Sequence, residues 1–78
     1  MKITPVHFEI LSRVSALGPH EVVQSSVLPH ISEETVNFAI SDLAGAGLIN
    51  AVKSKSKDGT WLATEITSKG RHYLKDPE

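Results

Sequence analysis

Three lysines alternate with two serines between Lys53 and Lys57, and together they form the densest cluster of one charge in the chain. If this segment is a β-strand, Lys53, Lys55 and Lys57 lie on one face, because side chains alternate along a strand. Three ammonium groups in a row can follow phosphates without reading sequence. Lysines also protect an edge strand from pairing with other chains, which would explain the pattern without a ligand. The pattern favours phosphate contact over protection of an edge strand.

A second candidate surface lies in residues 34–49, ETVNFAISDLAGAGLI. Placed at 100° intervals, these residues form a helix with one apolar face, made of Val36, Ala39, Ile40 and Leu43. Thr35, Asn37 and Ser41 lie outside that face and carry side chains able to read base edges, and asparagine suits adenine. Against this reading, the segment contains neither lysine nor arginine. Readout of DNA bases is one use of this helix, and contact with another protein is the other.

Phe38 is the unexpected residue on the outer side of this helix, where Glu34 also lies. An aromatic ring there can contact a thymine methyl, pack under the β-hairpin predicted to follow this helix, or anchor a protein partner. Phe8 raises the same question in the first predicted helix. Phe8 and Leu11 are a candidate protein interface, because aromatic residues often anchor interfaces. Alternatively, that helix buries both of its faces within the fold.

Other kinds of site find no support in the sequence. No two histidines have metal-ligand spacing, and there is no phosphate-binding loop, dinucleotide fingerprint or nucleophile elbow. We therefore expect no metal, no cofactor and no enzymatic activity. The four histidines, expected to be solvated or to cap helices, are His7, His20, His30 and His72.

The composition predicts one small soluble domain. The chain has 78 residues, 40% of them hydrophobic and 22% charged, and no cysteine. These values exclude disulfides and argue against disorder. Residues 1–50 carry two basic and five acidic groups, whereas residues 51–78 carry six basic and four acidic groups. No secretory or membrane-spanning segment is evident, so we expect a cytoplasmic protein.

The elements that would position these residues begin with three helices. Thr4-Pro5 starts the first helix, and Gly18-Pro19 ends it. A shorter second helix fits residues 21–28. Ser32 can cap a third helix that runs to about Ala46, with Gly45 and Gly47 marking its end.

A change of period after the third helix predicts a β-hairpin. Its strands are residues 49–57 and 60–67, joined around Asp58-Gly59. Leu62 and Ile66 are expected on one face of the second strand, with Trp61 on the other. A last short helix follows from residue 68 to about 74, capped by Thr67.

This order resembles the winged helix-turn-helix family of small prokaryotic regulators. HISEETV (residues 30–36) looks like the turn and start of a recognition helix, and DLAGAGLI (42–49) is similar to that family's exit into the wing. EITSKGRHYL (65–74) looks like the segment after the wing. Two departures are Pro29-His30, where a glycine is common, and a third helix without basic residues.

The resemblance implies an α+β winged-helix fold in residues 1–75, with residues 76–78 as a polar tail. It implies a cytoplasmic DNA-binding transcription regulator, often a homodimer, with the third helix in the major groove and the wing on phosphates. Base contacts are then expected from Thr35, Asn37 and Ser41. An alternative is a protein-interaction module, an antirepressor or inhibitor. Its possible interface residues are Phe8, Leu11, Glu34 and Phe38.

Overall fold

The computed structural model describes residues 3–55 and 59–75, and within them the chain forms an α+β fold. It comprises three α-helices and a two-stranded antiparallel hairpin. The elements are α1 (Pro5–Ser15), a single 3-10 turn (Ser25–Val27), α2 (Glu33–Gly45), β1 (Ile49–Lys53), β2 (Trp61–Ile66) and α3 (Ser68–Lys75).

The start of α1 is fixed by a reciprocal cap, as the Thr4-Pro5 pair predicts. The His7 backbone N–H donates to Thr4 Oγ1 over 3.3 Å, and the Thr4 N–H donates to His7 Nδ1 over 3.1 Å. The other ring nitrogen, His7 Nε2, lies 3.2 Å from Asp42 Oδ2 on α2. His7 thus joins the start of α1 to the last turn of α2, while its side chain is largely buried.

The predicted second helix, residues 21–28, is wrong. Val23 is extended and pairs with Ala63 of β2, since its N–H and C=O each bond that residue over 2.9 Å. Only the turn at Ser25–Val27 is helical. Extended geometry suits a β-branched valine, and the exchanged hydrogen bonds satisfy backbone groups that a short helix would have left open.

The third predicted helix is α2, and both of its expected ends are confirmed. Ser32 Oγ accepts from the Thr35 N–H over 3.2 Å. At the other end Gly47 takes a φ of +79°, the left-handed conformation that favours glycine. The Leu48 N–H then reaches back to the Leu43 carbonyl over 3.0 Å and closes the helix end.

The hairpin carries a bulge that the sequence pattern did not predict. Asn50 pairs with Glu65 but Ala51 pairs with Ala63, so Thr64 is the extra residue on β2. The bulge reverses the alternation beyond it. Ile66 is therefore buried as Ala63 is. The prediction that Ile66 shares a face with Leu62 is wrong for this reason.

The last helix, α3, docks against the exit of α2. Thr67 Oγ1 accepts from the Gly70 N–H over 3.0 Å and donates to the carbonyls that follow α2, which confirms the predicted cap. Lys69 Nζ donates to the Ala46 carbonyl over 3.0 Å. The TSKGR motif thus holds the end of α2 in place.

One apolar core joins all these elements, and it contains the predicted inner face of α2. Its most buried members come from α1, the segments on either side of the 3-10 turn, α2, Leu48 and both strands, while Tyr73 and Leu74 of α3 are partly buried and pack against it. They are Ile10, Leu11, Val14, Val23, Leu28, Val36, Ala39, Ile40, Leu43, Leu48, Ile49, Ala63 and Ile66.

Candidate nucleic-acid interface

The outer face of α2 and the hairpin enclose an open groove, here called the α2–hairpin groove. Its volume is about 480 Å³. Both an aromatic and a charged side chain come from each wall. The lining residues are Glu33, Glu34, Asn37, Phe38 and Ser41 from α2, with Lys53, Gly59 and Trp61 from the hairpin.

Asn37 is the side chain that holds the two walls together. Its Oδ1 accepts a hydrogen bond of 3.1 Å from the Trp61 backbone N–H, and this contact is partly buried. The register pairs Trp61 with Lys53 at the end of the hairpin ladder. The asparagine therefore has a structural partner that the sequence did not indicate, and its amide oxygen accepts from the hairpin backbone.

The other two predicted base-reading residues differ in exposure. Thr35 is exposed in the first turn of α2, and its Oγ1 accepts from Ser32 Oγ over 2.7 Å. Since a hydroxyl is both donor and acceptor, the Thr35 O–H proton can still be donated outward. Ser41 lies one turn beyond Asn37 and is half-buried in the groove.

Phe38 stands out from α2 with 63% of its surface exposed. It borders the α2–hairpin groove on one side. On the other side it borders a second groove, between α2 and the start of α1, with Thr4, Val6 and Asp42. Packing beneath the hairpin, one of the roles considered for this ring, is therefore wrong, and contact with a ligand or partner stays as a prediction.

The lysines of the hairpin are only partly described. Lys53 and Lys55 are exposed, whereas Lys57 lies outside the described residues together with Asp58. Lys53 pairs with Trp61, so its side chain lies on the face of the hairpin that lines the groove. Its stem passes over Gly59, where an added Cβ would lie 2.9 Å from Lys53 Cε. Gly59 itself has a φ of +63°, as a tight turn requires.

Carboxylates occupy the opposite wall of the groove. Glu33 and Glu34 lie in the first turn of α2, where negative charge complements the helix dipole. Both are exposed. Neither has an ion-pair partner among residues 3–55 and 59–75. The groove is therefore acidic along α2 and basic along the hairpin.

The predicted protein interface on α1 requires a correction. Leu11 is completely buried in the core, because α1 packs against α2, β2 and α3, and it cannot reach a partner. Phe8 is 37% exposed and remains on the surface. The expectation that α1 buries both of its faces therefore holds for Leu11 but only in part for Phe8.

The described residues offer no group of three or more histidine, cysteine or acidic side chains able to hold a metal ion. In the same ranges, 3–55 and 59–75, no helix has the length and apolarity needed to cross a membrane.

Comparison with known proteins identifies the fold. No protein-family model matches the chain, and no curated protein matches it in sequence. Among solved structures it is similar to a crystal structure of ZitR from Lactococcus lactis, a zinc-responsive MarR family member, with a TM-score of 0.66 and 23% identity. The match covers 97% of this chain and 51% of ZitR, so the chain spans about half the length of that protein. The likeness confirms the predicted α+β winged-helix fold.

Proposed function

We propose that this winged-helix domain is a DNA-binding transcription regulator that inserts α2 into the major groove. The observation that carries the proposal is the placement of an exposed helix beside a lysine-bearing hairpin. That placement is the one by which winged helices read DNA, in a fold shared with a protein of the MarR family. DNA binding by this placement of helix and hairpin needs no catalytic group. The resemblance further implies a cytoplasmic homodimer, and both properties belong to this proposal.

The base contacts in this proposal are assigned to the α2 side chains that are available. Thr35 and Ser41 can each donate or accept through a hydroxyl. The Asn37 Nδ2 still offers its N–H groups, but Oδ1, which a paired contact to adenine also needs, already accepts from the Trp61 backbone N–H and would have to accept from the base as well. We therefore expect Thr35 and Ser41 to carry more of the base readout than Asn37.

We assign the phosphate contacts to Lys53 and Lys55, and the sequence-based prediction adds Lys57, which lies outside the described residues. These ammonium groups would add affinity for DNA of any sequence. Glu33 and Glu34 on the facing wall oppose that attraction. We expect overall affinity to be modest and to depend strongly on salt.

The test is fluorescence anisotropy with pooled double-stranded DNA at about 50 and 200 mM salt. Binding that weakens steeply with salt is expected. The double variant Lys53→Ala, Lys55→Ala should bind less tightly to every sequence in the pool, because phosphates are common to all. The matched control, Arg71→Ala with Lys75→Ala, removes the same charge from α3 and should bind nearly as the parent does. No binding at 50 mM salt would contradict the proposal.

A second candidate function is a protein-interaction module, such as an antirepressor or inhibitor. The observation that favours it is the exposure of Phe38 next to Glu33 and Glu34. An aromatic ring beside carboxylates is a poor match to a phosphate backbone but a good anchor for a protein. In this reading α2 contacts a partner instead of DNA.

A further inference from the structure

The α2–hairpin groove places aromatic rings beside two carboxylates that have no ion-pair partner among the described residues. We infer that it binds an arginine side chain presented by a basic, extended segment of a partner protein. This inference deepens the protein-interaction candidate and rests on it. It assigns the chemistry of the partner, which neither the fold nor the likeness to ZitR supplies.

The two aromatic side chains supply the stacking surface. Phe38 is 63% exposed, and Trp61 is half-buried at the end of the hairpin ladder. Both line the same groove. A guanidinium group is planar and weakly hydrated, so it stacks on aromatic faces more readily than an ammonium group does. The rings therefore favour arginine over lysine.

The two carboxylates supply the charge complementarity. Glu33 and Glu34 line the groove one turn before Asn37 and Phe38, and they lack ion-pair partners within the described ranges. A carboxylate can accept two parallel hydrogen bonds from one guanidinium. Lys53, on the hairpin wall, is the single cation among the described lining residues. The described part of the lining is therefore net acidic, and its acidic end lies on α2.

The openness of the groove indicates a chain segment as the occupant. Its volume of about 480 Å³ exceeds what one side chain fills, and it is open to solvent. An extended segment can lay its backbone there while one arginine reaches between Phe38 and the carboxylates. Such a segment would cover the same face of α2 that DNA would need, so the two ligands would exclude each other.

The test uses three synthetic peptides that differ at one position, acetyl-Gly-Leu-X-Leu-Gly-amide, with X as arginine, lysine or the neutral isostere citrulline. Trp61 is the single tryptophan of the chain, so its fluorescence and its indole N–H resonance report on the groove directly. The arginine peptide should produce saturable changes at Trp61 and in the first turns of α2. The lysine and citrulline peptides should bind several-fold more weakly or not at all.

Two variants and one control separate the parts of the site. Glu33→Gln with Glu34→Gln should weaken the arginine peptide by roughly fivefold to tenfold, as expected for two exposed ion pairs. Phe38→Ala should weaken it similarly and leave the fold intact by circular dichroism, because the ring is exposed. Glu65→Gln, on the far end of β2, should leave the affinity unchanged.

The same Glu33 and Glu34 variant distinguishes this inference from DNA binding. Removing two negative charges should strengthen DNA binding in the anisotropy assay while it weakens the arginine peptide. Equal binding of the arginine and citrulline peptides would keep α2 as a protein interface but overturn its arginine specificity. An undiminished affinity of the Glu33→Gln, Glu34→Gln variant for the arginine peptide would also overturn the arginine specificity. No binding of any peptide by a protein that binds DNA would overturn the inference together with the protein-interaction candidate.

Discussion

At the scale of single residues, the sequence predicted burial better than it predicted partners. The 100° spacing of α2 correctly separates its buried face from the outward Phe38. Of the two alternatives for Leu11, the protein interface is wrong and burial is confirmed. Periodicity within α1 cannot show whether other elements cover its second face. Asn37 was assigned to DNA bases, yet its oxygen accepts from Trp61. A contact over 24 positions leaves no local signal, since the hairpin's position is set by the whole fold.

The bond between Asn37 and Trp61 can be tested by its contribution to stability. Asn37→Val removes the acceptor, while valine and asparagine have similar helix propensities. A partly buried Trp61 N–H would then lose its partner, so the free energy of unfolding should fall by about 1 kcal/mol. Urea denaturation measures the change. The control is Ser41→Val, a comparable substitution on the same side of α2, expected to stay within about 0.5 kcal/mol. Equal effects of the two substitutions would mean that the bond contributes nothing measurable.

At the scale of elements, the ends of helices followed from sequence where a cap defined them. Thr4-Pro5, Ser32, Gly47 and Thr67 each have the predicted capping role. The segment around Val23 does not form the helix that its sequence predicts. Its strand pairing with Ala63 is a long-range interaction that overrides a weak helical pattern. The bulge at Thr64 has the same kind of origin, since it depends on how two strands must curve over the core.

The docking of α3 depends on the absence of a side chain at Gly70. A Cβ there would overlap the Leu48 carbonyl oxygen and lie 2.8 Å from Ile66 Cγ1. Gly70→Ala should therefore destabilise the fold by roughly 1–3 kcal/mol, although alanine itself favours a helix. Thermal or urea denaturation gives the value.

Gly45 provides the control for that substitution, because a Cβ there would meet nothing within 4 Å. It is the last residue of α2, and Gly45→Ala should be neutral or stabilise by up to about 1 kcal/mol. If the two alanine substitutions change stability alike, the close approach of α3 to the Leu48 carbonyl does not constrain the fold.

At the scale of the whole molecule, the two halves of the chain carry opposite net charge. Residues 1–50 are net acidic and repel a polyanion, whereas residues 51–78 are net basic and attract it. Glu33 and Glu34 of α2 line one groove together with Lys53 of the hairpin. The sequence indicated this asymmetry through the contrast between residues 1–50 and 51–78. The sequence could not show that Lys53, Glu33 and Glu34 line the same α2–hairpin groove. These residues are distant along the chain and come together only because the hairpin packs against α2.

The salt dependence of DNA binding tests the number of hairpins that contact one DNA molecule. Each neutralised phosphate contributes about −0.9 to the slope of log affinity against log salt. If Lys53, Lys55 and Lys57 supply the phosphate contacts, one bound copy predicts a slope of about −3, and the proposed homodimer predicts about −5. Anisotropy titrations across a salt series give the slope, and sedimentation of the complex gives the copy number independently. A slope near −5 with a single bound copy would mean that cations outside the hairpin contact phosphates. A slope shallower than about −1 would mean that the hairpin lysines do not contact phosphates.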